Sequence, residues 1–427
     1  MLTPGQAQPG IVPPQPAQPP ARPLAGWRAA RARSDRPLAA GLVALAGAAG
    51  FVLARLYLAA GGNITEFVRA ALPYSRPGRV PPGLHVFGTN GYDGQFYYRL
   101  ALDPADLHRS AFGITLDAPF RLQRIGYPAL TWLAALGRHS WVPVALVAVN
   151  VAALGAAGLI GGMLARDSGR HAMWGLLLAG YFGFFIALGC DLTEPVAAVC
   201  LLGGILACRR GHPVAAGLVF GYGALTRETV LIMPAALGLA RLAAMLRDRV
   251  PPVAAAAGSA PVRLGAADAA WVLPVLAFGG WQFVLRAVTG QFIAFSGVGD
   301  NSSPGLPFGQ FADAVRMNAG LLWPATGAAY IWLLEVAVLL AVLLAAASTL
   351  RTTGVPGYER LAFAGFVVEL GFLSAAIWSG HADLRSIDEC YLLAVLVLLG
   401  SKRRLAPLAL CAVAVAVVAG AHQALYL

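Results

Sequence analysis

Long apolar runs separated by short polar segments divide this chain into pieces of membrane-spanning length. A helix needs about 20 apolar residues to cross a bilayer. Runs near that length lie at about 38–60, 141–165, 171–189, 268–288, 327–349, 358–378 and 406–425. Shorter or interrupted runs at about 194–208, 213–226, 229–246 and 389–400 predict further spans. The pattern therefore predicts an all-α polytopic membrane protein with about eleven transmembrane helices.

The composition agrees with this fold class. Of the 427 residues, 58% are hydrophobic and 12% are charged, whereas ordinary soluble domains have about 25% charged residues. The net charge of +11 does not favour a nucleic acid partner, because the basic residues lie at span ends and no aromatic-basic recognition module is present. The composition thus excludes an ordinary soluble protein.

The chain divides into a tail and one membrane domain. Residues 1–26 are rich in Pro, Gln, Ala and Gly and predict disorder, and the basic cytoplasmic tail extends to residue 37. Residues 38–427 are predicted to form a single domain, with a Pro- and Ala-rich linker at 250–266. Its longest polar segment, 61–140, is the predicted first outer loop with short amphipathic helices. The run at 125–137 is too short to cross and is expected to lie at the interface or to extend the next helix.

Arginine and lysine recur at every second span boundary, which is the pattern of cytoplasmic loops. They are Arg28, Arg31, Arg33, Arg36, Arg166, Arg170, Arg209, Arg210, Arg247, Arg249, Arg263, Arg351, Lys402, Arg403 and Arg404. This distribution predicts a cytoplasmic amino terminus and, with an odd number of spans, an outer carboxyl terminus. The segment 61–140 then faces the periplasm or exterior.

The segment Tyr92–Tyr98 places Asp93 between glycines and aromatic residues in this loop. Gly91 and Gly94 permit a tight turn that projects the carboxylate. Phe96, Tyr97 and Tyr98 can form an apolar or stacking wall, and a partly desolvated carboxylate can act as a general base. The competing interpretation is a solvated Asp-Gly turn.

The rest of the loop adds guanidinium groups and another acid. Arg121 and Arg124 are three residues apart and share a face if they are helical, which suits phosphate binding. Their alternative role is snorkelling towards lipid headgroups. Asp103 precedes Pro104 and predicts a helix start with Asp103 as its cap.

Two outer turns carry charged residues between apolar helices. Asp191 and Glu194 lie in one, and Arg227 and Glu228 lie in the other. Charged groups there are unfavourable unless they line an aqueous cavity or pair. The sequence leaves open whether Arg227, with Glu228 or Glu194, holds a phosphate or forms a structural ion pair.

The last outer loop contains His381, Asp383, Arg385, Asp388 and Glu389. Arg385 is the candidate for meeting the phosphate of a lipid carrier that emerges between helices. His381 and Asp383 are possible metal ligands, but neither HxxH nor DxD accompanies them. We therefore predict no metal ligands and no cofactor, with a divalent metal left open.

Two acids lie within predicted spans, Glu335 and Glu369. Intramembrane acids are candidates for transport, and a pairing with Arg55 or Arg286 would explain them equally well. The alternative class is therefore a transporter or flippase of lipid-linked sugars.

Three motifs together resemble the GT-C superfamily of polytopic glycosyltransferases, and within it bacterial mannosyltransferase-like proteins of cell-surface glycopolymer formation. They are Gly91–Tyr98, Ala101–Pro104 and Arg121–Pro128, supported more weakly by Leu225–Glu228. The resemblance covers the amino-terminal third well, whereas the carboxyl-terminal half matches mainly in hydropathy.

This resemblance implies a multi-span enzyme of the bacterial inner membrane with Asp93 as the catalytic base. The donor would be a sugar on polyprenyl phosphate, and the acceptor a glycan or glycolipid. The donor phosphate is expected to bind Arg121, Arg124, Arg227 and Arg385. Expected substrate-binding residues are Tyr92, Gln95, Tyr97, Tyr98, Asp103, Glu194, Glu228 and His381. A non-catalytic subunit of a glycopolymer assembly complex is a further alternative.

Overall fold

The computed structural model describes residues 35–89, 91–249, 265–295, 306–321 and 327–426. The predictions for the tail up to residue 34 and for residues 250–264 of the linker lie outside these residues. Within them the chain is helical apart from two short pairs of strands. Its α-helices are α1 (Pro37–Leu58), α2 (Gly94–Leu102), α3 (Gly126–Ala134), α4 (Val142–Asp167), α5 (Leu176–Ala179), α6 (Gly183–Gly189), α7 (Glu194–Arg209), α8 (Pro213–Thr226), α9 (Ile232–Arg249), α10 (Ala269–Thr289), α11 (Gly309–Gly320), α12 (Gly327–Thr349), α13 (Gly357–Leu370), α14 (Ala375–Ser379), α15 (Asp388–Leu399) and α16 (Ala406–Tyr426).

In the described ranges, six helical segments are long and apolar enough to cross a membrane, and the bent pair 172–179 and 183–189 gives a seventh if it counts as one span. The six are Pro37–Leu58, His139–Asp167, Glu228–Arg247, Ala266–Thr289, Gly327–Thr349 and Ala406–Tyr426. The all-α membrane fold is therefore confirmed in outline. The shorter runs at 194–208, 213–226 and 389–400 are helices of 16, 14 and 12 residues, so their crossing stays a prediction.

The span predicted at 358–378 is wrong as one continuous helix. α13 ends at Leu370, and the backbone turns before the short helix α14. The turn occurs at Gly371, whose carbonyl accepts a hydrogen bond of 2.8 Å from the Phe308 amide. Apart from Glu369, apolar residues continue through the turn, so the hydropathy pattern does not reveal it.

Small residues bring α1 and α4 together. A Cβ at Gly158 would lie 2.6 Å from Ala44 Cβ, and one at Gly162 would lie 2.9 Å from Pro37 Cα. Close backbone approach of this kind is how helices associate in lipid, where there is no hydrophobic drive between them. The bundle therefore depends on the absence of side chains at these positions.

The basic span ends gather at one end of the bundle. Arg209 donates to both carboxylate oxygens of Glu359, at 2.7 and 2.6 Å. Arg170 donates to the carbonyls of Leu399 and Arg403 at the carboxyl end of α15, at 3.2 and 2.9 Å. These contacts join the end of α7 to the start of α13, and the segment after α4 to the end of α15, opposite the end that carries Asp93.

The segment 61–140 is ordered by short strands and by a buried arginine. β1 (Ala70–Ala71) pairs in parallel with β2 (Val86–Phe87), and β3 (Ser110–Ala111) pairs antiparallel with β4 (Ile114–Thr115). Arg99 on α2 is fully buried and donates to the carbonyls of Asp106 and His108. The run at 125–137 contains the nine-residue helix α3, and a turn at Leu136 and Gly137 separates it from α4. The run therefore does not extend the next helix, and its place at the interface stays a prediction.

Gly94 lies where the segment 61–140 meets the bundle. A Cβ at this position would overlap the carbonyl oxygen of Cys190 and lie 2.9 Å from that of Val68. We expect Gly94→Ala to destabilise the protein by about 1–3 kcal/mol through overpacking, measured as a lower thermal midpoint in detergent. Gly88→Ala is the control, since a Cβ there meets nothing within 4 Å. Equal midpoints for the two variants would contradict this packing.

Candidate functional site

Asp93 begins α2, and each of its carboxylate oxygens is held by a different arginine. Oδ1 accepts a hydrogen bond from Arg121 Nη2 at 2.7 Å, and Oδ2 accepts one from Arg385 Nη2 at 3.0 Å. The backbone carbonyl of Asp93 also accepts from the Phe96 amide at 2.9 Å, which fixes the residue at the helix start. Asp93 therefore joins the segment 61–140 to the loop before α15.

The two arginines determine the charge of Asp93. Burial alone would raise the pKa of this carboxyl, but Arg121 and Arg385 outweigh burial and hold the pKa below its ordinary value. The group is thus ionised at neutral pH. A carboxylate in this state can accept a proton, although its low basicity limits how strongly it does so.

Arg121 lies in the short 3₁₀ helix Pro119–Gln123 and is held from two sides. Asp117 accepts from its Nε at 2.9 Å and from its Nη2 at 2.8 Å. The guanidinium carbon also lies 5.0 Å from the ring centroid of Phe96 and 4.5 Å from that of Phe120. These cation–π contacts and the carboxylate leave Arg121 little freedom.

Arg385 is enclosed by acids and by Tyr92. Its Nε donates to the Tyr92 hydroxyl at 3.2 Å, and its Nη1 donates to Glu194 Oε1. The Tyr92 hydroxyl in turn donates to Asp383 Oδ1 at 2.7 Å. The site therefore connects α2, the start of α7 and the last loop.

Arg124 pairs with Glu228 in a bidentate contact. Its Nε and Nη2 donate to the two carboxylate oxygens at 3.0 and 2.6 Å. Its Nη1 lies 3.5 Å from the Tyr97 hydroxyl. This contact links the segment 61–140 to the turn between α8 and α9.

Arg227 is buried below these groups. Its Nη1 lies 3.0 Å from Asp388 and 3.4 Å from Glu194, and its Nε lies 3.4 Å from Glu389. Three carboxylates from α7 and α15 thus surround one guanidinium. Of the two interpretations that the sequence leaves open, this arrangement matches a structural ion pair with Glu194.

Acids outnumber arginines at this end of the bundle. The arginines are Arg121, Arg124, Arg227 and Arg385, and the acids in contact with them are Asp93, Asp117, Glu194, Glu228, Asp388 and Glu389. Three of these acids are nearer to solvent than their arginine partners: the side chains of Asp93, Asp117 and Glu228 are 20–30% exposed, whereas the partners are 8–15% exposed. An anionic ligand must therefore displace a carboxylate wherever it binds a guanidinium nitrogen that already pairs with one.

Four of the predicted substrate-binding residues lie away from this cluster. Gln95 is buried and accepts from the Ala71 amide and the Ser75 hydroxyl at 3.2 and 2.8 Å. Tyr98 is buried on α2. Asp103 follows α2 and accepts from the Ala105 amide at 3.0 Å. The predicted helix start at Asp103 is wrong, because the chain forms a turn there.

His381, the fourth of these residues, contacts α16 instead. Gln423 Nε2 lies 3.0 Å from His381 Nδ1, and the rings of His381 and His422 are 5.2 Å apart. The alternative explanation of Glu335 and Glu369, a pairing with Arg55 or Arg286, is not found among the described residues. Arg55 donates to the Gln423 carbonyl at 2.9 Å, and Arg286 lies over the ring of Phe292.

No protein-family model, no curated protein and no solved structure matches this chain. Its site is therefore interpreted from its own residues. In the described part of the chain, no three His, Cys, Asp or Glu side chains are arranged to hold a metal ion.

The residue that the sequence reasoning missed is Asp117. The signal for it was an acid four residues before Arg121, the spacing of a local ion pair.

His381 provides a prediction about pH. Burial, followed by the proximity of His422, lowers its pKa from 6.5 to about 4. A histidine whose pKa is lower in the folded state stabilises the fold fully above pH 6.5, and this contribution is lost as the pH falls towards 4. We expect the thermal midpoint to fall between pH 7 and pH 5, and to fall less in His381→Gln. The control His212→Gln, at an exposed position, should keep the wild-type pH dependence, and an equal fall in all three proteins would contradict the prediction.

Proposed function

We propose that this protein is a membrane glycosyltransferase of the GT-C type. It would move a sugar, expected to be a hexose such as mannose, from polyprenyl phosphate to a glycan or glycolipid acceptor. The observation that carries the proposal is the carboxylate of Asp93, placed between Arg121 and Arg385 and partly open to solvent. A base beside two guanidinium groups suits an acceptor hydroxyl next to a leaving phosphate.

In the proposed reaction, Asp93 takes the proton of the acceptor hydroxyl while the oxygen attacks the anomeric carbon. The bond between that carbon and the phosphate oxygen breaks, and polyprenyl phosphate leaves with the electron pair. Attack from the side opposite the phosphate inverts the configuration. No oxidant, reductant or cofactor is needed for this step.

The resting contacts suggest how the base becomes active. Arg121 and Arg385 hold the pKa of Asp93 low despite its burial. A donor phosphate would compete for the same guanidinium groups, since charge-assisted bonds to phosphate are as strong as those to carboxylate. Weakening either contact to Asp93 raises its pKa, so that arrival of the donor makes Asp93 a better base.

The four predicted phosphate-binding arginines differ in access, and Arg385, although 8% exposed, is also held by Glu194, which is 1% exposed. Arg124 is 15% exposed and Arg121 is 8% exposed, and both pair with acids that reach solvent. Arg227 is 4% exposed and lies among acids that are 0–2% exposed. We therefore assign the donor phosphate to Arg121, with Arg124 beside it, and a structural role to Arg227.

The membrane arrangement in this proposal keeps the predicted orientation. The basic ends of α4, α7 and α15 would face the cytoplasm, and Asp93 would face the periplasm or exterior of a bacterial inner membrane. With the short helices α7, α8, α13 and α15 counted as spans, the chain crosses eleven times. A site on the outer side has no access to cytoplasmic nucleotide sugars, whereas a lipid carrier can present its sugar there.

A transporter or flippase is the second candidate because of one observation. Glu335 lies in the middle of α12, is buried, and has no hydrogen-bond partner for Oε2 among the described residues. Such an acid is unfavourable in a membrane helix and is often functional. It lies outside the cluster around Asp93, so the glycosyltransferase proposal gives it no role.

Purified protein in lipid vesicles distinguishes the two candidates. Radiolabelled polyprenyl-phosphate mannose is supplied with native membrane lipids, and the label is followed by chromatography. We expect label in a second lipid or glycan. If no donor from a panel of lipid-linked sugars is used, while labelled lipid crosses the bilayer, the transporter replaces the enzyme. A third outcome is neither transfer nor transport. If, in addition, the Asp93→Asn gene restores a deletion strain as well as the wild-type gene does, the protein is a non-catalytic subunit.

A further inference from the structure

Asp117 lies between β4 and the 3₁₀ helix that carries Arg121. Its Oδ1 accepts from the Ala118 amide at 2.7 Å, so the carboxylate is fixed to the backbone that leads into the helix. The same Oδ1 accepts from Arg121 Nε, and Oδ2 accepts from Arg121 Nη2. This bidentate contact fixes the plane of the guanidinium group.

The nitrogen atoms of Arg121 differ in the hydrogen bonds that they make. Nη2 is shared between Asp117 Oδ2 at 2.8 Å and Asp93 Oδ1 at 2.7 Å. Among the hydrogen bonds of the described residues, none to Arg121 uses Nη1. Nη1 is therefore a donor that a ligand oxygen can engage without breaking the contact to Asp117.

We propose that Asp117 is the positioning residue that orients Arg121 towards Asp93 and towards the leaving phosphate. The proposal rests on the proposed function, because it gives Arg121 the phosphate. Without Asp117, the long arginine side chain loses one of its two fixed partners and turns to pair with Asp93 through two donors. The guanidinium group then holds the base more tightly and is displaced from the phosphate.

The test uses Asp117→Asn. The amide oxygen can keep the bonds to the Ala118 amide and to Arg121 Nε, whereas the amide nitrogen cannot accept from Nη2, so the substitution removes one contact. We expect sugar transfer to fall by about 10²-fold, the effect of a small misplacement of a catalytic group. The thermal midpoint should stay close to that of wild type.

A double variant separates positioning from general structural damage. If Asp117 acts through Arg121, then Asp117→Asn lowers transfer no further in an Arg121→Gln background. If the loss of transfer in the double variant equals the product of the losses in the two single variants, the proposal is overturned. The matched control is Asp313→Asn, which removes an exposed aspartate paired with Arg316 three residues on. It should transfer sugar as wild type does.

Binding of undecaprenyl phosphate gives a second measurement. The lipid should raise the thermal midpoint of wild type, and raise it less in Asp117→Asn. Wild-type transfer and binding in Asp117→Asn would overturn the role of Asp117 while the proposed function stands. A wild-type protein that neither transfers label nor gains stability from the lipid would refute the proposed function, and the role of Asp117 with it.

Discussion

Asp93→Asn is expected to lower sugar transfer by about 10²- to 10⁴-fold, the usual contribution of a general base. Asparagine keeps the shape of the side chain but cannot take a proton from the acceptor. Its amide also cannot accept hydrogen bonds from both arginines, which hold the two oxygens of Asp93 at 2.7 and 3.0 Å. The loss should appear in kcat, because the base acts in the transition state rather than in donor binding.

The fold should survive this substitution. Arg121 keeps Asp117 and Arg385 keeps Glu194, so each guanidinium group retains a carboxylate. The control is Asp167→Asn at the opposite end of the bundle, where Asp167 lies 3.8 Å from Arg210 and is 36% exposed. That variant should transfer sugar at the wild-type rate. Transfer by Asp93→Asn within a few-fold of wild type would contradict the assigned base.

Arg227→Met is expected to have the largest effect on stability. Its guanidinium group lies 3.0–3.4 Å from three buried acids, Glu194, Asp388 and Glu389. Removing one partner of a buried charge cluster is destabilising by about 3–5 kcal/mol, because the remaining charges stay buried. The thermal midpoint in detergent should fall strongly, and the yield of folded protein should fall with it.

An exposed arginine provides the comparison. Arg316→Met removes a surface pair with Asp313, and such pairs are worth about 0–1 kcal/mol. The midpoint of Arg316→Met should therefore stay near that of wild type. Adding Asp388→Asn to Arg227→Met should recover part of the lost stability, since it removes one unpaired carboxylate. Equal midpoints for Arg227→Met and Arg316→Met would contradict the structural role.

Hydropathy predicted the membrane helices because apolar length has a direct physical meaning in a bilayer. It failed at 358–378, where the backbone turns at Gly371 although apolar residues continue on both sides of Glu369. It set apart shorter runs such as α8, an apolar helix of 14 residues, but apolar length alone does not decide whether such a helix crosses. Local composition does not encode where a helix bends.

The sequence predicted many of the residues that lie in the site, but few of the contacts between them. The aromatic and glycine context of Asp93 indicated a special carboxylate, and Arg121 and Arg385 were both predicted to lie in the site. The pairing of Asp93 with Arg385 joins residues that are 292 positions apart, and only the fold brings them together. Gln95 was predicted to bind substrate, but its side-chain oxygen accepts a hydrogen bond from the Ala71 amide. The local motif does not reveal this contact.

The central claim is that this protein forms a new glycosidic bond. The most direct test incubates purified wild-type protein with polyprenyl-phosphate mannose and acceptor lipids, and measures both products by mass spectrometry. The account predicts one released polyprenyl phosphate for each acceptor that gains a hexose, and about 10²- to 10⁴-fold less of both products with Asp93→Asn. Release of free sugar without a glycosylated acceptor, or movement of intact donor lipid without any release, would contradict it.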